Sequence, residues 1–233
     1  MTSDLTVRPA PSTEPSARSA GSLMLPIAGG ALIAGSLLWA AGLATSPPQD
    51  SNAAADYIAA LGRDEGRTAL SALLLHYGNL ALGLGWLAAP ALVRGRRGRV
   101  AAVVGSLMAA LGLVSVAGNV LFDFWVNAIG RDLPPGTAVS LFETVLGSTG
   151  MSIVGTVTLL GLLGPFVVYA GLARAGVTGW WLFVPAVAAF ATSAAIAFSP
   201  LPHAAFALVG AVPVTLVGLR MIRRPRAEAA VAA

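Results

Sequence analysis

The chain contains no cysteine and no lysine, and only 10% of its 233 residues are charged. Without cysteine there can be no disulfide, thiolate metal site, cysteine-held iron–sulfur cluster or CxxC redox centre. The scarcity of charge excludes an ordinary soluble domain, in which about a quarter of residues are charged. The zinc signature HExxH, the phosphate loop GxxxxGK[ST] and a strand-led dinucleotide fingerprint are also missing. An intramembrane serine protease would want GxSG, and the nearest run, Gly147-Ser148-Thr149-Gly150, places its serine one position early. No catalytic residue, metal site or cofactor is therefore expected, and the sequence reads as non-enzymatic.

What is there is apolar. Hydrophobic residues make up 56% of the chain and the mean hydropathy is +0.79. Crossing roughly 30 Å of hydrocarbon takes about 20 mainly apolar residues, and several stretches reach that length. The calculated pI of 10.6 comes from fourteen arginines, most of them in short clusters beside apolar runs. That placement fits membrane orientation and anionic lipid at the cytoplasmic face, and calls for no nucleic-acid partner.

The expected fold is all-α, a polytopic bundle of six transmembrane spans with both termini cytoplasmic. Residues 1–22, rich in Ser, Thr, Pro and Ala, read as a disordered cytoplasmic tail. The six-span domain covers 23–222 and a basic cytoplasmic tail covers 223–233. Spans are expected at Leu23–Ala44, Leu70–Val93, Val100–Asn127, Gly147–Ala173, Trp180–Phe198 and Ala204–Met221. Between the first two, Ala54, Tyr57, Ile58 and Leu61 recur at helical spacing behind Ser51 and Asn52, predicting a short amphipathic helix on the outer surface. Thr137–Leu146 reads as an interfacial stretch, and Ser199–His203 as a short outer turn. With the N-terminus inside, eleven of the fourteen arginines are cytoplasmic, and only Arg63, Arg67 and Arg131 lie outside. Arg94, Arg96, Arg97, Arg99, Arg223 and Arg224 are the expected topology and lipid anchors.

Two ionisable side chains fall within spans, His76 and Asp123. Such groups are costly in hydrocarbon and usually face a bundle interior or water. Ser115, Asn119, Asp123 and Asn127 recur every fourth residue and form one stripe; His76 and Asn79 share a face of the preceding span. Thr144, Ser148, Ser152 and Thr156 make a similar ridge on the fourth. The functional expectation is an outer-half polar cavity lined by His76, Asn79, Asn119 and Asp123, with Glu143 at its mouth, binding or moving a small solute, cation or proton. The alternative is interhelical hydrogen bonding in a non-enzymatic accessory or scaffold that recruits a membrane partner or a second copy of itself. Gly29, Gly30, Gly105, Gly112, Gly155 and Gly164 are expected where helices pack closely.

By its layout, its Ala, Gly and Arg bias, the short helix around Asp56-Tyr57-Ile58 and the His76-Tyr77-Gly78-Asn79 run, residues 23–222 resemble the small six-pass membrane proteins common in GC-rich, actinobacteria-like genomes. The resemblance implies the architecture and carries no site residue with it.

Overall fold

The computed structural model describes residues 18–232, with side chains from Leu23 to Arg224. Of the tail expected at 1–22, positions 1–17 lie outside the described residues, as do the side chains of the basic tail beyond Arg224. Within the described residues the chain is helical and has no strand. Its α-helices are α1 (Arg18–Thr45), α2 (Ala54–Arg63), α3 (Glu65–Trp86), α4 (Arg99–Val120), α5 (Phe122–Asp132), α6 (Pro135–Leu146), α7 (Thr149–Arg174), α8 (Phe183–Ala195) and α9 (Pro200–Ala232). Five segments are long and apolar enough to cross a membrane: Leu23–Thr45, Glu65–Leu92, Arg99–Asp132, Thr149–Arg174 and Pro200–Arg224.

Three boundaries differ from expectation for identifiable reasons. The span expected at Val100–Asn127 is broken after Val120, and α5 is a separate amphipathic helix that turns its apolar side to α2. The span expected at Trp180–Phe198 is a 3-10 turn, Trp180–Leu182, followed by only 13 helical residues. The helix stops where Ile196 turns extended (φ −118, ψ 152), four residues before Pro200. That same Pro200 opens α9, its fixed φ suiting a first helical position, so the outer turn expected at Ser199–His203 is already helix.

Close backbone approach holds the bundle together, and it runs antiparallel. On α4 and α7 a Cβ at Gly112 would lie 1.7 Å from the Gly161 nitrogen, and one at Gly164 2.2 Å from the Ala109 nitrogen. Gly105 faces Val168, and Gly29 of α1 lies against the Gly218 carbonyl of α9. Four of the six glycines singled out from sequence therefore sit in seams; Gly30 and Gly155 face open space. The main core lies in the half of the bundle away from the cap, around Leu32, Trp86, Ala109, Val168, Leu172 and Val217.

A second core belongs to α2, α5 and α6, where Ile58, Leu61, Val126, Ile129, Ala138 and Phe142 are buried together. These three helices form a cap on one end of the bundle. Thr68 Oγ1 of α3 fastens it to the bundle by donating to the Leu61 carbonyl at 3.0 Å, and Asn127 Nδ2 joins α5 to α2 within the cap by donating to the same carbonyl at 2.6 Å. Arg67 Nε also donates to the Thr45 carbonyl at 2.9 Å, and the Phe198 amide donates to Asn52 at 3.0 Å, tying the ends of α1 and α8 to the same end.

Charge follows these ends. Among the described side chains, all seven acids (Asp50, Asp56, Asp64, Glu65, Asp123, Asp132 and Glu143) fall on the cap end, with Arg63, Arg67 and Arg131. The opposite end carries Arg94, Arg96, Arg97, Arg99, Arg174, Arg220, Arg223 and Arg224. Gly98, in the left-handed region at φ 76, lets the arginine hairpin turn directly beneath the Gly171 carbonyl.

Candidate functional site: an aromatic chamber between the helices

The five polar residues singled out from sequence do not share one cavity. His76 lies on α3 with Nδ1 2.8 Å from the Ala117 carbonyl of α4, and its ring meets Tyr77 edge-on at 5.0 Å. Asn119 donates to Thr158 Oγ1 at 3.3 Å, across the α4–α7 seam. Asp123 accepts the hydroxyl of Tyr57, from the cap helix α2. Glu143 is exposed on α6. No hydrogen bond or ion pair joins His76 to Asp123 among the described residues.

The Tyr57–Asp123 contact shows why the cap forms. The phenol of Tyr57 packs on Phe142 at 5.7 Å, and Phe142 in turn meets Phe122 at 6.2 Å, so the hydrogen bond sits at the edge of an aromatic cluster. Burial first, and the neighbouring Asp123 second, push the Tyr57 phenol well above the ordinary tyrosine range, so it stays a donor. At the start of α2 the N-cap is Ala53, and Ser51 accepts its amide at 3.1 Å while donating to Asp56. The ridge of Thr144, Ser152 and Thr156 faces outward, each hydroxyl bonded to a carbonyl four residues back, and Ser148 caps α7.

Asn79 is the exception. It lines a partly open chamber of about 460 Å³ bordered by α1, α3, α4, α7, α8 and α9. The walls are Trp39, Trp86, Phe166, Tyr169, Phe190 and Phe206, with smaller side chains such as Ala186 and Ala207 between them. Trp86 and Tyr169, at 1% and 2% exposure, meet edge to face at 5.5 Å and make the floor rigid. Phe166 reaches from α7 to α8, 6.5 Å from Phe183 and 6.1 Å from Phe190, bridging a wall where those two helices otherwise barely touch. Phe190, at 44% exposure, and Leu162, at 40%, stand on the outer side of this wall.

Few polar groups look into the chamber. Asn79 donates to the Leu75 carbonyl at 2.8 Å, and its amide oxygen takes no partner among the described residues. The Tyr169 hydroxyl is likewise without a partner there. Ser36 is turned to the Ile33 carbonyl at 2.9 Å, and His203 Nδ1 lies 2.9 Å from the Ser199 carbonyl. Ser193 completes the set. An apolar cavity with a small number of hydrogen-bonding groups is the usual make-up of a small-molecule site. No group of three or more His, Asp or Glu side chains among the described residues could hold a metal ion.

Sequence reasoning missed Trp86 and Tyr169 because a tryptophan near the end of a span is normally an interfacial anchor. Trp180 and Trp181, at 58% and 57% exposure, are surface tryptophans, whereas Trp86 is 1% exposed. Comparison of the chain with protein-family models, with curated proteins and with solved structures gives no match.

Proposed function

We propose that this is a six-pass protein of the bacterial inner membrane, both termini cytoplasmic, that binds a small, largely apolar solute in its inter-helix chamber without transforming it. The carrying observation is the chamber: aromatic walls, about 460 Å³ of space, and hydrogen-bonding groups reduced to a few. Solute of this kind is concentrated in the bilayer, and the thin wall spanned by Phe166 between α7 and α8 provides lateral access from it. Six crossings are supported by the path of the chain after α7. Sixteen residues, Trp180–Ala195, followed by extended backbone, carry it from the arginine-rich end back to the cap. The segregation of arginine to the end away from the cap supports the orientation. Movement of the solute across the membrane is the dynamic extension of this reading. A cation or proton path is less well supported, since His76 and Asp123 are each held by a separate partner.

The test is photolabelling of the protein in vesicles with a small alkyl diazirine. Lipid-facing Leu107 and Leu111 label in any case, at 51% and 60% exposure. If the chamber takes apolar solute, buried Trp86 and Tyr169 label as well, and Ala207→Trp abolishes that labelling by filling the space. Labelling confined to the lipid-facing residues would remove the proposal. The accessory reading rests instead on the outward Ser152–Thr156 ridge and expects capture of a membrane partner that Ser152→Leu disrupts.

A further inference from the structure

At the end away from the cap, a groove of about 650 Å³ runs between the arginine hairpin and the 216–224 stretch of α9. Its rim is Arg94, Arg220, Arg223 and Arg224; its floor is Leu92, Val177, Leu216 and Leu219. The rim comes from segments more than a hundred residues apart in sequence, locked together by a hydrogen bond from Arg224 to the Ala91 carbonyl. Arg220 and Arg223 are exposed and make no ion pair among the described residues. On α9, Leu216 and Leu219 lie toward the middle of the bundle relative to Arg220 and Arg223, so the apolar floor descends from the charged rim along the helix.

We infer that this groove is a binding site for the headgroup and upper acyl chain of an anionic phospholipid. Guanidinium groups present paired N–H donors that match phosphate oxygens two at a time, and several of them on one rim suit a headgroup with more than one anionic oxygen. Phosphate alone would satisfy the rim and leave the floor unexplained; leucine and valine side chains directly beneath the arginines fit a ligand whose polar end continues into hydrocarbon. Basic pockets between spans on the cytoplasmic side hold lipid headgroups by this chemistry. The site is separate from the chamber, and neither depends on the other.

The full chain is reconstituted in phosphatidylcholine vesicles containing a small fraction of diphosphatidylglycerol, and co-purifying lipid is counted by native mass spectrometry. Wild-type protein is expected to retain the anionic lipid. Each hydrogen bond from a rim guanidinium to the headgroup is worth about fivefold in retention, so Arg220→Gln with Arg223→Gln is expected to lower it about twenty-five-fold. Arg96→Gln with Arg97→Gln, on the hairpin but off the groove, leaves it unchanged. Leu219→Trp, which fills the floor and keeps every charge, lowers retention and serves if the arginine variant does not fold. Equal loss from both arginine pairs, or full retention by Leu219→Trp, overturns the site. Millimolar inorganic phosphate added to the same diphosphatidylglycerol-containing vesicles should not displace the retained anionic lipid; displacement would make this a free-anion site and overturn the lipid assignment.

Discussion

Tyr57 on α2 gives its hydroxyl hydrogen to Asp123 on α5, sixty-six residues away, and so ties the short cap helix to the far end of the third apolar segment. One of the two ionisable groups that the sequence placed within apolar spans is therefore engaged in building the cap.

Removing that donor is the direct test. Tyr57→Phe leaves a largely buried carboxylate without its partner and should cost about 1–3 kcal/mol. Asp123→Asn keeps an acceptor and should cost less. The double variant should fall short of the sum of the singles, because both remove the same bond. Because folding raises the phenol pKa, this contribution is fully present below about pH 10 and is lost as pH rises further. Protease cleavage in the 46–65 region, followed against pH in detergent, reads out cap opening.

The α4–α7 seam makes an equally sharp prediction. Gly112→Ala would put a methyl 1.7 Å from the Gly161 nitrogen, so two helices must separate rather than one side chain rotate. The expected cost is about 3 kcal/mol or more, at the upper end for overpacking. Gly30→Ala and Gly155→Ala, with nothing within 4 Å of the new methyl, should be neutral or slightly stabilising through helix propensity. Thermal unfolding in one detergent ranks all three.

The helices were legible in the sequence to the extent that hydrophobicity alone decides them. Long apolar runs gave α1, α3, α7 and α9, and the amphipathic spacing of Ala54, Tyr57, Ile58 and Leu61 gave α2. The division at Leu121 was not legible, because α4 and α5 both read as helix and only docking on α2 separates them. The polar stripe was a pattern of spacing only: the break at Leu121 leaves Asn119 on α4 and Asp123 on α5, and a pattern names no partner. Asn119 found Thr158, and Asp123 found Tyr57 on an element whose position no local signal specifies. The chamber was invisible for the opposite reason: its walls are ordinary apolar residues, and a gap among such residues is a property of packing in three dimensions.

Orientation can be measured cleanly because there is no native cysteine to remove. Arg96→Cys on the hairpin and Asp132→Cys on the cap, whose native side chain is 67% exposed, should label from opposite sides of intact cells. A membrane-impermeant maleimide is expected to reach position 132 from outside, and position 96 only after permeabilisation. The reverse result would invert the topology and place the arginine groove outside.

The two residues at the floor of the chamber separate packing from ligand binding. Trp86 is 1% exposed and stacks edge-on with Tyr169, so Trp86→Ala empties a core site and should cost about 3–5 kcal/mol. Trp180→Ala, at a ring 58% exposed, should stay within about 0.5 kcal/mol. Tyr169→Phe keeps the ring and removes only a hydroxyl that has no partner among the described residues, so thermal stability should hold or rise slightly. If that hydroxyl serves a solute, the loss appears elsewhere: a phenol- or carbonyl-bearing apolar probe, followed by quenching of tryptophan fluorescence, should bind Tyr169→Phe about five- to tenfold more weakly, the worth of one hydrogen bond. An alkane probe of similar size should bind both forms alike. Unchanged affinity for both probes, with stability also unchanged, would show that the hydroxyl meets no ligand and would leave the chamber floor as packing alone.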